Sequence, residues 1–339
     1  MTETVQDIEK ILRMYLASAA VGTALELGLF WQLEEKPMGE KEISRILNIP
    51  YDRCRSWLQL LAKLDLLELQ DKRFVPSIFA RTAILEAYSQ ETWTFLAQEI
   101  REQYQVVNNL ALNISHPESV WVAQRIQPPN YITLMKNDPR RAERFTRMLY
   151  ELHQPLAEKL VNILDLTNVG KLMDLGGGSG VVSLALLEHH KNLNAVVVDI
   201  ENVCNTGRKI ANETQVADRI TYHPADFIQN PLPSGFDMII ECDVGVYNQT
   251  LFHKLFDSLN TGGRFMIISN TNEQGAWLTY PKSESSLLRI LNAFLSSLTT
   301  PRFVSSTIDD IKSLLTKTGF RDVFEQVHED GMVFIQATK

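Results

Sequence analysis

The chain has 339 residues, a net charge of -8, 45% hydrophobic residues and 22% charged ones. Its length exceeds the ~250 to 300 residues at which single cores tend to split, so two domains are expected, and no apolar run approaches the ~20 residues that span a bilayer. An acidic balance argues against a nucleic-acid binder, which needs clustered Lys and Arg, and leaves a small molecule as the expected partner, with no membrane role.

The opening MTETVQDIEK carries neither the features of a secretory signal nor those of an Arg-rich transit peptide, which points to the cytoplasm. Cys54, Cys204 and Cys242 are isolated, without CxxC spacing, and read as small apolar fillers rather than a disulfide framework or a zinc site. No pair of His or carboxylates falls in ligand spacing, so no metal is expected.

Residues 5 to 33 read as two helices, the second running through AAVGTALELGLFWQL with Val21, Ala24, Leu25, Leu29 and Leu33 in helical spacing. EKEISRILNIP and YDRCRSWLQLLAKLDLLEL follow as two helices joined by a turn at Asn48 to Pro50, then a short strand pair within LLELQDKRFVPS. Helix, turn, helix and hairpin make a winged-helix pattern. Its second helix offers Arg53, Arg55 and Lys63 against Asp52 and Asp65, and its many apolar positions suit a subunit contact better than DNA.

Residues 84 to 165 are mostly helical and serve as a connector. From Lys171 the rhythm changes: KLMDL, AVVVDI, ITYHPA, FDMIIE and RFMIIS are β-rich runs alternating with helical stretches at 181–190, 203–216 and 249–259. That alternation predicts a parallel sheet with helices on both faces. The end, FRDVFEQVHEDGMVFIQAT, reads as a hairpin turning at Asp330 and Gly331, an antiparallel finish.

LMDLGGGSG puts Asp174 at a strand end and Gly176, Gly178 and Gly180 before a helix. Glycines there allow a sharp turn and close approach of a ligand to the backbone. A dinucleotide fingerprint needs a third glycine where Val181 stands, whereas GxGxG preceded by Asp suits S-adenosylmethionine, whose cationic amino end a carboxylate attracts. Asp199 closes the second strand, where a carboxylate takes both ribose hydroxyls. Asp226 and Phe227 close the third, an acid for the adenine amino group and an aromatic for its face.

With these motifs in place the sequence resembles the S-adenosylmethionine-dependent O-methyltransferases of the plant caffeate and bacterial antibiotic type. The likeness runs through ALELGLFWQL, the winged helix, FTRML, MDLGGGSG, VVVDI, PADF, NTGGRFMII and LLTKTGF. It implies an α/β protein: a helical winged-helix dimerisation domain at 1–100 forming a homodimer, a helical connector at 101–165 contributing to the acceptor pocket, and a Rossmann-like class I methyltransferase sheet with an antiparallel last strand at 166–339. It also implies that Asp174, Gly176 and Gly178 hold the methionine end, with Gly180 in the same cofactor-binding loop, Asp199 the ribose, and Asp226 and Phe227 the adenine. Cys242 falls where relatives often carry Arg or Lys near the adenine.

The resemblance implies one more residue that this chain lacks. In the family a His followed by an acidic residue and Trp removes the acceptor's proton just beyond the fourth strand; here the stretch is VGVYNQT, with Val246 or Tyr247 near that place. Three readings follow. Tyr247, His153 or His253 replaces the base for an acidic hydroxyl or a carbon acid. Alternatively the acceptor has no proton to lose, as with a thioether becoming a sulfonium on the route from methylthio-hydroxybutyrate to dimethylsulfoniopropionate, where Asp243, Tyr247, Trp277 and Tyr280 face the new charge and Arg289 or Arg302 anchors a carboxylate. The third is a relative that binds the cofactor without methylating. Trp277, Tyr280, Phe294 and Phe303, with Met148, are the expected lining of the acceptor pocket.

Overall fold

The computed structural model describes residues 4–128, 130–271, 277–278, 286–299, 307–328 and 332–339. It comprises two compact units, Met1–Asn108 and Asn109–Lys339.

In the first unit, α1 (Val5–Glu26) and α2 (Leu29–Glu35) break apart at Gly28. The break falls inside the stretch that helical periodicity joins, because Gly28 takes the left-handed conformation, φ 67°, which residues with a Cβ rarely adopt. Helices α3 (Glu40–Ile46) and α4 (Tyr51–Lys63) are linked through left-handed Asn48, and β1 (Leu67–Gln70) pairs antiparallel with β2 (Arg73–Pro76). This is the expected helix–turn–helix and hairpin. A short helix α5 (Ile78–Ala80), a π-helical turn at Arg81–Leu85, α6 (Gln90–Glu102) and α7 (Tyr104–Val107) complete the unit.

Phe30, Ile43, Cys54, Leu58, Leu61 and Phe74 form its core. The apolar positions of α4 are therefore buried within their own unit, which corrects the expectation that they serve a subunit contact. The exposed apolar face lies on α1 instead, where Ile8, Leu12 and Tyr15 stand 60%, 70% and 63% open. No single helix among the described residues is long and apolar enough to cross a membrane.

The second unit begins with α8 (Leu110–Asn113), α9 (Val120–Ala123), α10 (Tyr131–Asn137), α11 (Pro139–Leu152) and α12 (Gln154–Ile163). Alternation then sets in: β3 (Lys171–Leu175), α13 (Val181–His189), β4 (Asn194–Asp199), α14 (Glu201–Ala211), β5 (Ile220–Pro224), β6 (Phe236–Cys242), α15 (Gln249–Ser258), β7 (Leu259–Thr271). After β8 (Trp277–Leu278) come α16 (Ser286–Thr299), α17 (Ile308–Thr318), β9 (Arg321–Val327) and β10 (Met332–Thr338).

The sheet runs β5-β4-β3-β6-β7-β10-β9, with β8 on the end of β7. Strands β3 to β7 are mutually parallel, and β10 lies antiparallel between β7 and β9. Strand residues alternate between faces. Leu172, Val197, Met238 and Ile240 pack under α12, α13 and α14; Met173, Val198, Ile239 and Ile267 pack under α15 and α17. The strand order reverses between β3 and β6, and in open α/β sheets ligands bind in the crevice beyond the carboxyl ends at such a switch point.

Candidate active site

The loop after β3 is built for that crevice. Gly176, Gly178 and Gly180 take φ of 66°, 58° and 78°. A Cβ on Gly176 would stand 2.4 Å from Val244 Cγ2, whereas nothing lies within 4 Å of one on Gly178, so open space remains over the middle of the loop. From below, the buried Tyr222 of β5 supports the turn by donating its hydroxyl to the Ser179 carbonyl at 2.7 Å.

Two buried carboxylates flank the loop. Asp174 Oδ2 accepts from Ser183 Oγ at 2.8 Å. Asp199 accepts from the Gly178 and Ile200 amides at 3.0 and 2.7 Å. Burial pushes both up to about 6, the signature of an acid without an opposite charge beside it. No ion pair involves either among the described residues, and both keep acceptor capacity for a ligand.

At the end of β5, Asp226 accepts from the Ile228 amide at 3.2 Å and meets Lys136 Nζ of α10 at 3.5 Å. The Phe227 ring lies 3.8 Å from where a Gly176 Cβ would stand, so it does adjoin the glycine loop. Lys254 of α15 holds this segment in shape by donating to the carbonyls of Phe227, Ile228 and Asn230 at 3.2, 2.7 and 2.9 Å.

The sheet order sets Cys242 apart from Asp226 and Phe227. Three strand spacings, about 14 Å at ~4.8 Å each, separate β6 from β5. Cys242 lies two residues beyond the Ile240 that pairs with Asp174. By alternation it shares a face with Asp174, and burial, then that carboxylate, raise its thiol. Cys242 thus lies on the Asp174 side of the sheet.

The β6 loop contains a group that the motif reading passed over. Glu241 is 2% exposed; its Oε1 accepts from the Val244 and Gly245 amides. Its Oε2 forms no hydrogen bond of ordinary geometry, although the Tyr247 hydroxyl is close enough to act on the carboxyl. Burial pushes Glu241 up to about 8. The sequence signal was present: a carboxylate inside the apolar run FDMIIEC is rare unless it has a task. Beside it, Asp243 sits at φ 56°, accepts from Ser269 Oγ and is pushed up to about 6 by burial.

Tyr247 packs partly buried, its ring 6.5 Å from that of Phe252. Burial and the Glu241 and Asp243 charges raise its phenol far above the ordinary value, which favours its protonated form. His153 caps the junction of α11 and α12; surrounding protein lowers its pKa, and its ring makes no hydrogen bond among the described residues. His253 lies on α15 with Nε2 3.5 Å from Gln249. Met148 is buried in α11, and Phe294 is exposed on α16. Tyr280, Arg302 and Phe303 fall outside the described residues, as do the side chains of Trp277 and Arg289.

A family model described as an O-methyltransferase domain matches residues 127–321, more than half of the chain. The chain belongs to the O-methyltransferase family. This O-methyltransferase-family chain is similar to the N,N-dimethyltransferase OxyT of Streptomyces rimosus, 23% identical over 312 residues, 91% of this chain and 88% of that one. It is also similar to the L-tyrosine C(3)-methyltransferase of Streptomyces lavendulae, 26% identical over 269 residues, 75% and 72% of the two chains. Its fold matches the solved structure of PigF with SAH at a TM-score of 0.81, with 19% identity, over 99% of this chain and 100% of that one.

O-methyltransferase-family enzymes draw their methyl group from S-adenosylmethionine, and the residues present fit that group. The open space over Gly178 admits a ligand against the backbone. The two carboxylates have no cationic partner among the described residues and match an ammonium and a vicinal diol in donor chemistry.

Proposed function

We propose that this protein transfers a methyl group from S-adenosylmethionine to a small-molecule acceptor by in-line displacement, without a histidine base. The observation that carries the reading is the β6 loop: Val244 packs on the Gly176 turn, and around it stand Glu241, Asp243 and Tyr247, with no His between Cys242 and Gln249. Bound S-adenosylmethionine supplies an electrophilic methyl on a sulfonium.

The chain's residues supply alignment and charge. Asp174 and the glycine loop hold the methionine end, Asp199 the ribose, and Phe227 with Asp226 the adenine. Holding nucleophile and methyl in line accounts for much of the acceleration in such a reaction. Asp243 has no Lys, Arg or His in an ion pair among the described residues, so its carboxylate complements an acceptor atom that becomes positive as it attacks. That favours a neutral amine or a thioether, whose lone pair attacks without a proton being removed first. The likeness to an N,N-dimethyltransferase over 91% of the chain supports the nitrogen case; the thioether acid read from the sequence remains the sulfur case.

A second reading rests on the elevated Glu241. A carboxyl pushed up to about 8 suits a general base near neutral pH, and would serve a hydroxyl acceptor in place of the missing histidine. Transfer of a ¹³C-labelled methyl into a metabolite extract, read by NMR, separates the cases. A methyl on nitrogen or sulfur supports the first reading, a methyl on oxygen the second, and label that never leaves the cofactor refutes methylation.

We further propose that residues 1–100 form a dimerisation domain through the exposed face of α1, that 101–165 contributes to the acceptor pocket ahead of the catalytic domain at 166–339, and that the enzyme works in the cytoplasm. The free thiols of Cys54, Cys204 and Cys242 suit a reducing compartment.

A further inference from the structure

The connector helices are lashed to the helix that follows the ribose carboxylate. Met135, Ala142, Ile200 and Val203 form one buried cluster, with Ile132, Leu134 and Phe145 packed on it. Asn202 of α14 donates its Nδ2 to the carbonyls of Met135 and Lys136 at 2.8 and 3.1 Å, closing the last turn of α10 onto α14. Lys209 pairs with Glu143 at 2.8 Å and Arg147 with Glu213 at 2.9 Å, fixing α11 along the same helix. Lys136 meets Asp226 at the end of β5. So α10 is tied at one end to the segment that follows Asp199 and, through Lys136, to the segment that follows β5.

Tyr131 opens α10. Its ring packs on Phe145 with centroids 5.6 Å apart, yet 44% of its surface stays open. We infer that α10 is a strap across the adenosine end of the cofactor cleft and that the Tyr131 hydroxyl, at the start of that strap, is a cofactor-positioning group. Crowding, then the nearby Asp199 charge, raise that hydroxyl, which keeps it a hydrogen-bond donor at every working pH. A phenol on the strap and the Asp199 carboxylate would offer one donor and one acceptor to a sugar diol, an arrangement that a plain alkyl chain does not match.

The inference rests on the proposed placement of the ribose at Asp199, and the experiment separates the two. Calorimetric titration of the full-length protein with S-adenosylhomocysteine is run on wild type, Asp199→Ala, Tyr131→Phe and Asn202→Ala, with circular dichroism confirming the fold of each. Tyr131→Phe is expected to raise Kd about tenfold, the worth of one hydrogen bond of ~1.4 kcal/mol. Asn202→Ala is expected to weaken binding through loss of the strap. Hydrogen exchange at 131–137 is expected to slow when S-adenosylhomocysteine binds wild type. If Asp199→Ala weakens binding while Tyr131→Phe does not, and exchange at 131–137 is unmoved by the ligand, the strap is refuted and the ribose site stands. If Asp199→Ala itself leaves Kd unchanged, the ribose placement fails and the strap fails with it.

Discussion

At the scale of single residues, the site depends on groups whose cost is visible in the free protein. Gly176 combines a left-handed backbone with a Cβ position 2.4 Å from Val244. Gly176→Ala should destabilise the fold by ~1 to 3 kcal/mol, the usual cost of such strain, and weaken S-adenosylhomocysteine binding; thermal unfolding and calorimetry measure the two. Glu241 is held neutral by burial up to about 8. Glu241→Gln keeps an oxygen for the Val244 and Gly245 amides, so its fold should survive. If Glu241 is the base, kcat/KM of the variant should lose its alkaline rise and fall ~10² to 10⁴-fold; if Glu241 only holds the Val244 and Gly245 amides, the loss should be smaller and the atom methylated still nitrogen or sulfur.

At the scale of elements, the loop after β5 is shaped by one amine rather than by its own sequence. Lys254 satisfies three carbonyls there, and hydrogen bonds to charged groups are each worth ~1.5 to 3 kcal/mol. Lys254→Met should therefore loosen Asp226 and Phe227 together, weakening S-adenosylhomocysteine several-fold by calorimetry while circular dichroism stays unchanged. Strand order also sets Cys242 apart from Asp226 and Phe227: motif spacing counts along the chain, whereas the order β5-β4-β3-β6 decides which strand ends are adjacent. The same logic explains α4. Its apolar spacing was legible, but whether a helix face meets its own core or another subunit depends on what packs over it, and here Phe30, Ile43 and Phe74 share its cluster.

For the whole molecule, buried acids govern how stability responds to pH. Asp174, Asp199 and Asp243 are raised to about 6 and Glu241 to about 8. Groups held above their unfolded values bind protons more tightly when folded, so their contribution is full below about pH 4 and lost as pH rises through 6 to 8. The melting temperature of the free protein should fall between pH 5 and 8.5, more gently in Glu241→Gln. S-adenosylmethionine, which brings a cation to Asp174, should recover most of the loss. On the outer surface, the paired substitution Ile8→Asp and Leu12→Asp on the open face of α1 should turn a dimer into a monomer by light scattering; an unchanged mass would refute that face as the interface. The sequence by itself determined the local order: helix and strand periods, the glycine turn and the strand-end acids Asp174, Asp199 and Asp226, because backbone conformation and alternation are properties of neighbouring residues. Only the tertiary structure decided that Val244 roofs Gly176, that Glu241 is buried with its titration pushed up, that burial and then the Glu241 and Asp243 charges raise the Tyr247 phenol, and that α10 is fastened to α14 through Asn202. Those facts are set by burial and by which strand ends lie side by side, and neither quantity is local to the chain.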